Sequence, residues 1–329
     1  MRSGELLTRN NRHIGNSSLL APGSSFLFMK KRILITGANG LLGQKLVHLL
    51  TQQPTIELIA TARGDNRLPF SEGYVYRSMD ITDRQQVLDV ITETRPDVVI
   101  HGAAMTDVDK CETQKDACWA QNVHAVEYIV EACSTIDAFL VHVSTDFIFD
   151  GTDGPYDETA EANPISFYGW SKQAGESVVR HSAIRWAIAR TVLVYGIAHD
   201  MSRSNIILWV KKSLEDGKNI KVVTDQWRSP TLAEDLAMGC YLIADQQAEG
   251  IFNISGKEVI TPYEMAIRTA DYFSLDKSLI AQADASTFTQ VARRPPRTGF
   301  VLDKARTVLG YDPHSFEEGI AVLAGQLNG

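Results

Sequence analysis

Tyr168 and Lys172 stand four residues apart in "NPISFYGWSKQAGESVVRH", a spacing that puts both on one face of a helix. A free tyrosine is a poor acid, with a pKa of about 10. An adjacent ammonium stabilises the phenolate and lowers that value. A phenol tuned in this way can hand a proton to a carbonyl oxygen as hydride reaches the carbon, or take it back in reverse. Lys172 can in addition hydrogen-bond the ribose of a nicotinamide. A hydroxyl to hold the carbonyl is offered by "LVHVSTDFIFDG", where an apolar strand (Leu140, Val141, Val143) runs into Ser144, Thr145 and Asp146. Strand alternation turns only one of Ser144 and Thr145 toward a site, and these residues alone do not separate them. A Tyr-x-x-x-Lys pair is common on helix surfaces, so its meaning depends on the elements that place it.

Those elements begin with "KRILITGANGLLGQKLVHLL". It reads as a strand (Ile33, Leu34, Ile35), a glycine turn, and a helix with apolar Leu41, Leu42, Leu46, Val47 and Leu50. Gly37 permits the tight exit from the strand, Gly40 lets backbone approach a pyrophosphate, and Gly43 lets the helix pack closely. The helix N-terminus offers N–H groups to the phosphates. The second strand, "IELIATARG", ends at Ala62-Arg63, where a residue reading the adenosine ribose belongs. An acidic residue there would favour NAD, whereas Arg63 can pair with a 2′-phosphate and favours NADP. A solvated surface arginine is the alternative, and Asp65 close by leaves NAD open.

Further strand and helix patterns follow in "YVYRSMDITD", "RQQVLDVITETRPDVVIHGAA" and "DACWAQNVHAVEYIVEACSTI". Repeated βαβ units imply a parallel sheet covered by helices on both faces. Ligands then bind outside the carboxyl ends of the strands. Asp80-Ile81, Ala103-Ala104-Met105 and Ser144-Thr145-Asp146 all fall at such ends. Asn122 is a candidate for ordering Lys172 and a water, with a solvent-facing asparagine as the alternative. His101 and His142 lack ligand-spaced partners and read as structural; Trp170, Trp209 and Trp227 read as packing residues.

A net charge of −8 argues against a nucleic-acid or anionic-membrane surface, while leaving room for a local basic pocket for phosphate. Cys111, Cys118, Cys133 and Cys240 form no CxxC, which suits reduced thiols in the cytoplasm. No apolar run approaches bilayer length. Residues 1–28 are polar and lack the apolar core of a signal peptide, and Met29 leads directly into "KKRILITG". They read as a disordered leader or a misassigned start. Residues 29–192 are expected to form the dinucleotide-binding domain, rejoined by strands near 220–255. Residues 193–329 are expected to form mainly a substrate lobe.

The set "TGANGLLG", "HVSTDFIFDG", "YGWSK", "RTVLVYG" and "DQWRSPT" resembles the extended short-chain dehydrogenase/reductases, and within them the dTDP-4-dehydrorhamnose reductase branch. The likeness runs from Met29 to the C-terminus. It implies an α/β fold: a Rossmann-type doubly wound parallel sheet with a smaller C-terminal substrate lobe. It also implies reduction, by NADPH or NADH, of the C4 ketone of a nucleotide-linked 4-keto-6-deoxy sugar.

By the same resemblance, Gly40, Leu41 and Leu42 match the pyrophosphate turn and Asp80-Ile81 the adenine contacts. Ala104, Met105 and Thr106 match the strand end beneath the nicotinamide ribose. Thr145, Tyr168 and Lys172 match the catalytic trio, which selects Thr145 over Ser144 by analogy, and Asp146 matches a substrate contact. Arg293 and Arg294, in "VARRPPRTGFVLD", match a segment near the nucleotide diphosphate, a task suited to guanidinium.

Departures from the family pattern gather on the substrate side. Val192-Leu193 replaces Ser-Trp, which puts Leu193 where a tryptophan would face the sugar. Met105 replaces His or Tyr, and Trp227-Arg228 replaces smaller residues. Gln44-Lys45 stands where some members carry a metal-binding carboxylate, so no metal is expected. The expected partner is a nucleotide sugar, with no nucleic acid or membrane, and a homodimer is compatible. Two other readings remain: a non-catalytic NADP-binding subunit resembling the regulatory subunit of methionine adenosyltransferase, and a nucleotide-sugar epimerase or dehydratase. A dehydratase would want further acids after the hydroxyl strand, where this chain has Asp146 followed by Phe147.

Overall fold

The computed structural model describes residues 30–200 and 205–328, and the expected leader lies outside them. Its strands are β1 (Lys31–Thr36), β2 (Ile56–Ala62), β3 (Tyr74–Ser78), β4 (Val98–His101), β5 (Phe139–Thr145), β6 (Trp186–Thr191), β7 (Val194–Tyr195), β8 (Ile220–Val223), β9 (Thr231–Leu232), β10 (Gly250–Asn253) and β11 (Ile280–Ala283). The helices are α1 (Leu41–Thr51), α2 (Arg84–Thr94), α3 (Val108–Thr113), α4 (Lys115–Trp119), α5 (Ala125–Ile136), α6 (Phe167–Arg180), α7 (Ile206–Glu215), α8 (Ala233–Gln246), α9 (Pro262–Tyr272) and α10 (Phe316–Asn328).

Seven strands make one parallel sheet in the order β10-β6-β5-β4-β1-β2-β3. The order reverses between β1 and β4, and the crevice above that reversal is where doubly wound sheets take ligands. Alternation decides which helices each side chain meets. Ile33, Ile35, Phe139 and Val141 pack beneath α1 and α8. Leu34, Val99 and Leu140 face α2, α5 and α6 on the other side. A strand buried on both faces must be apolar throughout, which is why these runs carry almost no polar residue before their carboxyl ends.

The smaller lobe has two cores. Tyr195, Leu232, Met265 and Phe316 belong to one; Val210, Leu214, Val222, Ala266 and Ile280 belong to the other, between α7, α9 and the pair β8-β11. Of the strands expected to rejoin the main sheet, β10 lies beside β6, whereas β8 pairs with β11 instead. Its composition explains the difference. Ile220 and Val222 are buried while Lys221 between them is exposed, the pattern of a strand with one apolar face.

The approach of α1 to β1 depends on one residue. A Cβ on Gly43 would lie 2.1 Å from the Gly37 carbonyl oxygen, closer than any real contact allows. Gly37 itself takes φ +77°, a left-handed conformation that favours glycine. Gly43→Ala should therefore force α1 off the turn and destabilise the chain by about 1–3 kcal/mol. The expected observation is a lower urea midpoint at unchanged slope.

Candidate active site

The glycine turn and the carboxyl ends of β1, β2, β4 and β5 border one cleft of about 850 Å³. Gly37, Gly40, Leu41, Leu42 and Gly43 form its floor at the start of α1. No side chain caps this helix, so its first-turn N–H groups have only backbone and incoming ligands to satisfy them. Arg63, Asp80 and Ile81 stand at one end of the cleft, with Arg63 Nη1 3.8 Å from Asp80 Oδ2. Arg67 lines the same end and was not singled out from the sequence. Asn39 holds its loop: Oδ1 accepts from Arg67 N (2.9 Å) and Nδ2 donates to Asp65 O (2.9 Å). The available signal was Asn39 within the glycine turn, a buried amide that needs partners.

At the other end stand Thr145, Asp146, Tyr168 and Lys172, with Ala103, Ala104 and Thr106 along the wall. Ser166 caps α6 by accepting from Gly169 N (3.2 Å), and Glu112 accepts from Phe167 N (2.7 Å). These bonds set the first turn that carries Tyr168. Thr145 Oγ1 donates to Asp146 Oδ1 (3.1 Å) and accepts from Phe147 N (3.3 Å). Ser144 also borders the cleft, but among the described residues its buried hydroxyl has no partner, whereas the Thr145 hydroxyl is held between Asp146 and Phe147 N.

The expected acid tuning of Tyr168 is reversed. Burial pushes the phenol's pKa above its ordinary value, partly offset by the Thr145 hydroxyl. Lys172 does not aim its ammonium at the phenol; Nζ donates to Val143 O (2.8 Å). Burial also depresses Lys172, to about 8, with Glu176 pulling the other way. For Asp146 burial raises the carboxyl, while Arg228, Thr298 and Thr145 pull it down.

Four expected site residues stand elsewhere. Asn122 does not reach Lys172 or the cleft wall. It is buried in a π-helical turn (Ala120–His124), where Oδ1 accepts from Met105 N (2.8 Å) and Nδ2 donates to Met105 O (3.0 Å) and Ser171 Oγ (2.9 Å). Met105 packs with Cys111, Cys118 and Tyr168 behind the wall. Arg294 is committed to Asp109 (Nη2–Oδ2 2.9 Å), and neither it nor exposed Arg293 lines the cleft. Leu193 does line it, half-exposed at φ +34°.

Arg228 is buried, donating to the backbone carbonyls of Trp227 (2.7 Å) and Pro295 (2.6 Å). Gln44 exchanges hydrogen bonds with the backbone of His199 (2.8 and 2.9 Å). Trp170, Trp209 and Trp227 are exposed rather than packed inside. Trp209, Val222 and Phe288 wall a second cavity of about 460 Å³. It meets the first at Asn205 and Ile206, which border both.

A doubly wound parallel sheet with its glycine turn, strand-end threonine and helix-borne Tyr and Lys around one cleft is the architecture of an extended short-chain dehydrogenase/reductase. The chain belongs to the RmlD substrate binding domain family, whose model matches residues 30–328. dTDP-4-dehydrorhamnose reductase of Aggregatibacter actinomycetemcomitans is 30% identical over 304 residues, covering 88% of this chain and 97% of the relative. Methionine adenosyltransferase 2 subunit beta of Rattus norvegicus is 32% identical over 283 residues, covering 84% and 82%. The crystal structure of dTDP-4-dehydrorhamnose reductase of Bacillus anthracis in complex with NADP superposes with a TM-score of 0.78 at 28% identity, covering 91% of this chain and 100% of that one. Among the described residues no helix is long and apolar enough to cross a membrane.

The depressed pKa of Lys172 makes a stability prediction. Between about 8 and its unfolded value of 10.5 the unfolded chain holds a proton that the folded chain has lost, so stability rises with pH there. Below about 8 the folded chain must keep a buried ammonium, and this contribution is absent. Relative to Lys172→Met, wild type should gain on the order of 3 kcal/mol between pH 7.5 and pH 10.5 in urea titrations. A constant difference across that range would contradict it.

Proposed function

We propose that this chain is an NAD(P)H-dependent reductase of the C4 ketone of a nucleotide-linked 4-keto-6-deoxy sugar, with NADPH preferred. The observation that carries the reading is the shared cleft of Thr145, Tyr168 and Lys172 with an uncapped glycine-turn helix. The cradle fits a dinucleotide, since a side chain on Gly37 would meet Ala103 across the turn and no cap competes for the helix N-terminus. Bound there, the nicotinamide would supply hydride. The 2′-phosphate would meet Arg63, whose side chain is 78% exposed, with Arg67 beside it.

In this reading Tyr168 is the proton donor, and its raised pKa keeps the phenol protonated throughout the neutral range. Thr145 would hold the substrate oxygen beside it by turning its hydroxyl, which here donates to Asp146, toward the cleft. Lys172 offers the nicotinamide ribose an N–H not spent on Val143 O. The second cavity, apolar and aromatic-walled, suits the nucleoside, and its junction with the cleft suits a diphosphate-linked sugar. With Arg294 held by Asp109, diphosphate recognition falls to other groups.

The likeness to methionine adenosyltransferase 2 subunit beta supports a second reading, a dinucleotide-binding subunit of another enzyme. Turnover separates the two. Wild type should oxidise NADPH with dTDP-4-keto-6-deoxy-L-mannose, and Tyr168→Phe should lower kcat by about 10²–10⁴ with NADPH affinity kept. Tight NADPH binding without turnover on any 4-keto sugar would favour the subunit. Arg63→Ala should weaken NADPH by roughly tenfold more than NADH, as expected of one charge-assisted contact. Equal losses would remove Arg63 from the 2′-phosphate.

A further inference from the structure

Three polar residues cross the sheet in register beneath the cleft. Thr36 on β1 lies opposite His101 on β4, and His101 lies opposite His142 on β5. All three are buried, on the face that α6 covers. Thr36 Oγ1 accepts from Ala103 N (3.1 Å) and bonds His101 Nδ1 (2.8 Å). The two imidazoles stack with centroids 5.5 Å apart at 27°. At the end of the row, Lys172 Nζ comes down from α6 to 3.5 Å from His142 Nε2.

Donor accounting gives this contact a direction. A lysine ammonium has three donors and no acceptor, so His142 Nε2 must be the bare nitrogen and Nδ1 the protonated one. Among the described residues Nδ1 has no partner. An apolar residue would fill the same place without burying an unmatched N–H, so stability alone does not account for a histidine here. Lys172 spends one N–H on Val143 O and one on His142, which leaves one for the cleft it borders.

We propose that His142 is a positioning residue that holds the Lys172 ammonium so that its remaining N–H points at the cofactor ribose. This rests on the reading of Lys172 as a cofactor ligand. His142 touches neither cofactor nor substrate and acts only through the lysine. Burial keeps both histidines neutral, His101 down to about 3 and His142 well below its ordinary value, so the acceptor persists across the working range.

The test is a double-mutant cycle on NADPH binding by the full chain, followed by fluorescence titration. His142→Leu should weaken NADPH about fivefold in wild type, the equilibrium equivalent of one hydrogen bond, and less than about twofold in Lys172→Met. His142→Gln, which keeps an acceptor, should stay within about twofold of wild type. The same loss in both backgrounds, or no loss in either, would overturn the proposal. Should the leucine variant not fold, ¹⁵N NMR of histidine in wild type decides: a protonated Nδ1 is expected for His142, and a protonated Nε2 would overturn it. NADPH binding needs no sugar, so a chain that turns over no 4-keto sugar can still pass or fail this test.

Discussion

The space between Gly43 and the carbonyl oxygen of Gly37 sets the geometry on which the cleft depends. With no side chain at Gly43, α1 seats directly on the end of β1 and its uncapped N-terminus faces the crevice. The parallel sheet then does the rest. Because every strand runs the same way, the ends of β1, β2, β4 and β5 present their last residues to a common rim. Arg63, Ala103 and Thr145 come from distant parts of the chain and reach one cleft for that reason alone.

On that rim, burial outweighs local charge. A phenol four residues from a lysine suggests a lowered pKa, yet Tyr168 is raised and the lysine itself is depressed to about 8. Both groups sit in the packed wall between α6 and β5, where desolvation disfavours each charged form. In the proposed reading the phenol has its proton to give at neutral pH, while the same burial makes it a weaker acid than a free tyrosine. The same wall holds a bidentate Arg190–Glu176 pair and the histidine row, a polar layer beneath α6.

The end of the cleft built on the glycine turn was legible in the sequence because its signals are local. A glycine turn between strand and helix, and strand ends at regular intervals, each declare themselves within about a dozen residues. What was missed depends on distant partners. Arg294 looks like a free phosphate ligand until Asp109, far away in the chain, closes on it. Asn122 reads as a candidate for ordering Lys172, with a solvent-facing amide as the alternative, but in the π-helical turn it is buried and binds both backbone groups of Met105. Arg67 needed Asn39 to bring its loop over the glycine turn. The family resemblance favoured Thr145 over Ser144; in the structure Thr145 bonds Asp146 while the Ser144 hydroxyl has no partner among the described residues, an arrangement that strand alternation alone did not decide.

In the proposed reaction this cleft passes hydride from a nicotinamide to a sugar carbonyl. Reaction of dTDP-4-keto-6-deoxy-L-mannose with NADPH carrying deuterium at the transferable C4 position, followed by mass spectrometry and NMR of the product, tests it directly. One deuterium per product molecule is expected, located at C4 of the sugar. Bound NADPH that is never oxidised, or a product with no deuterium at C4, would contradict it.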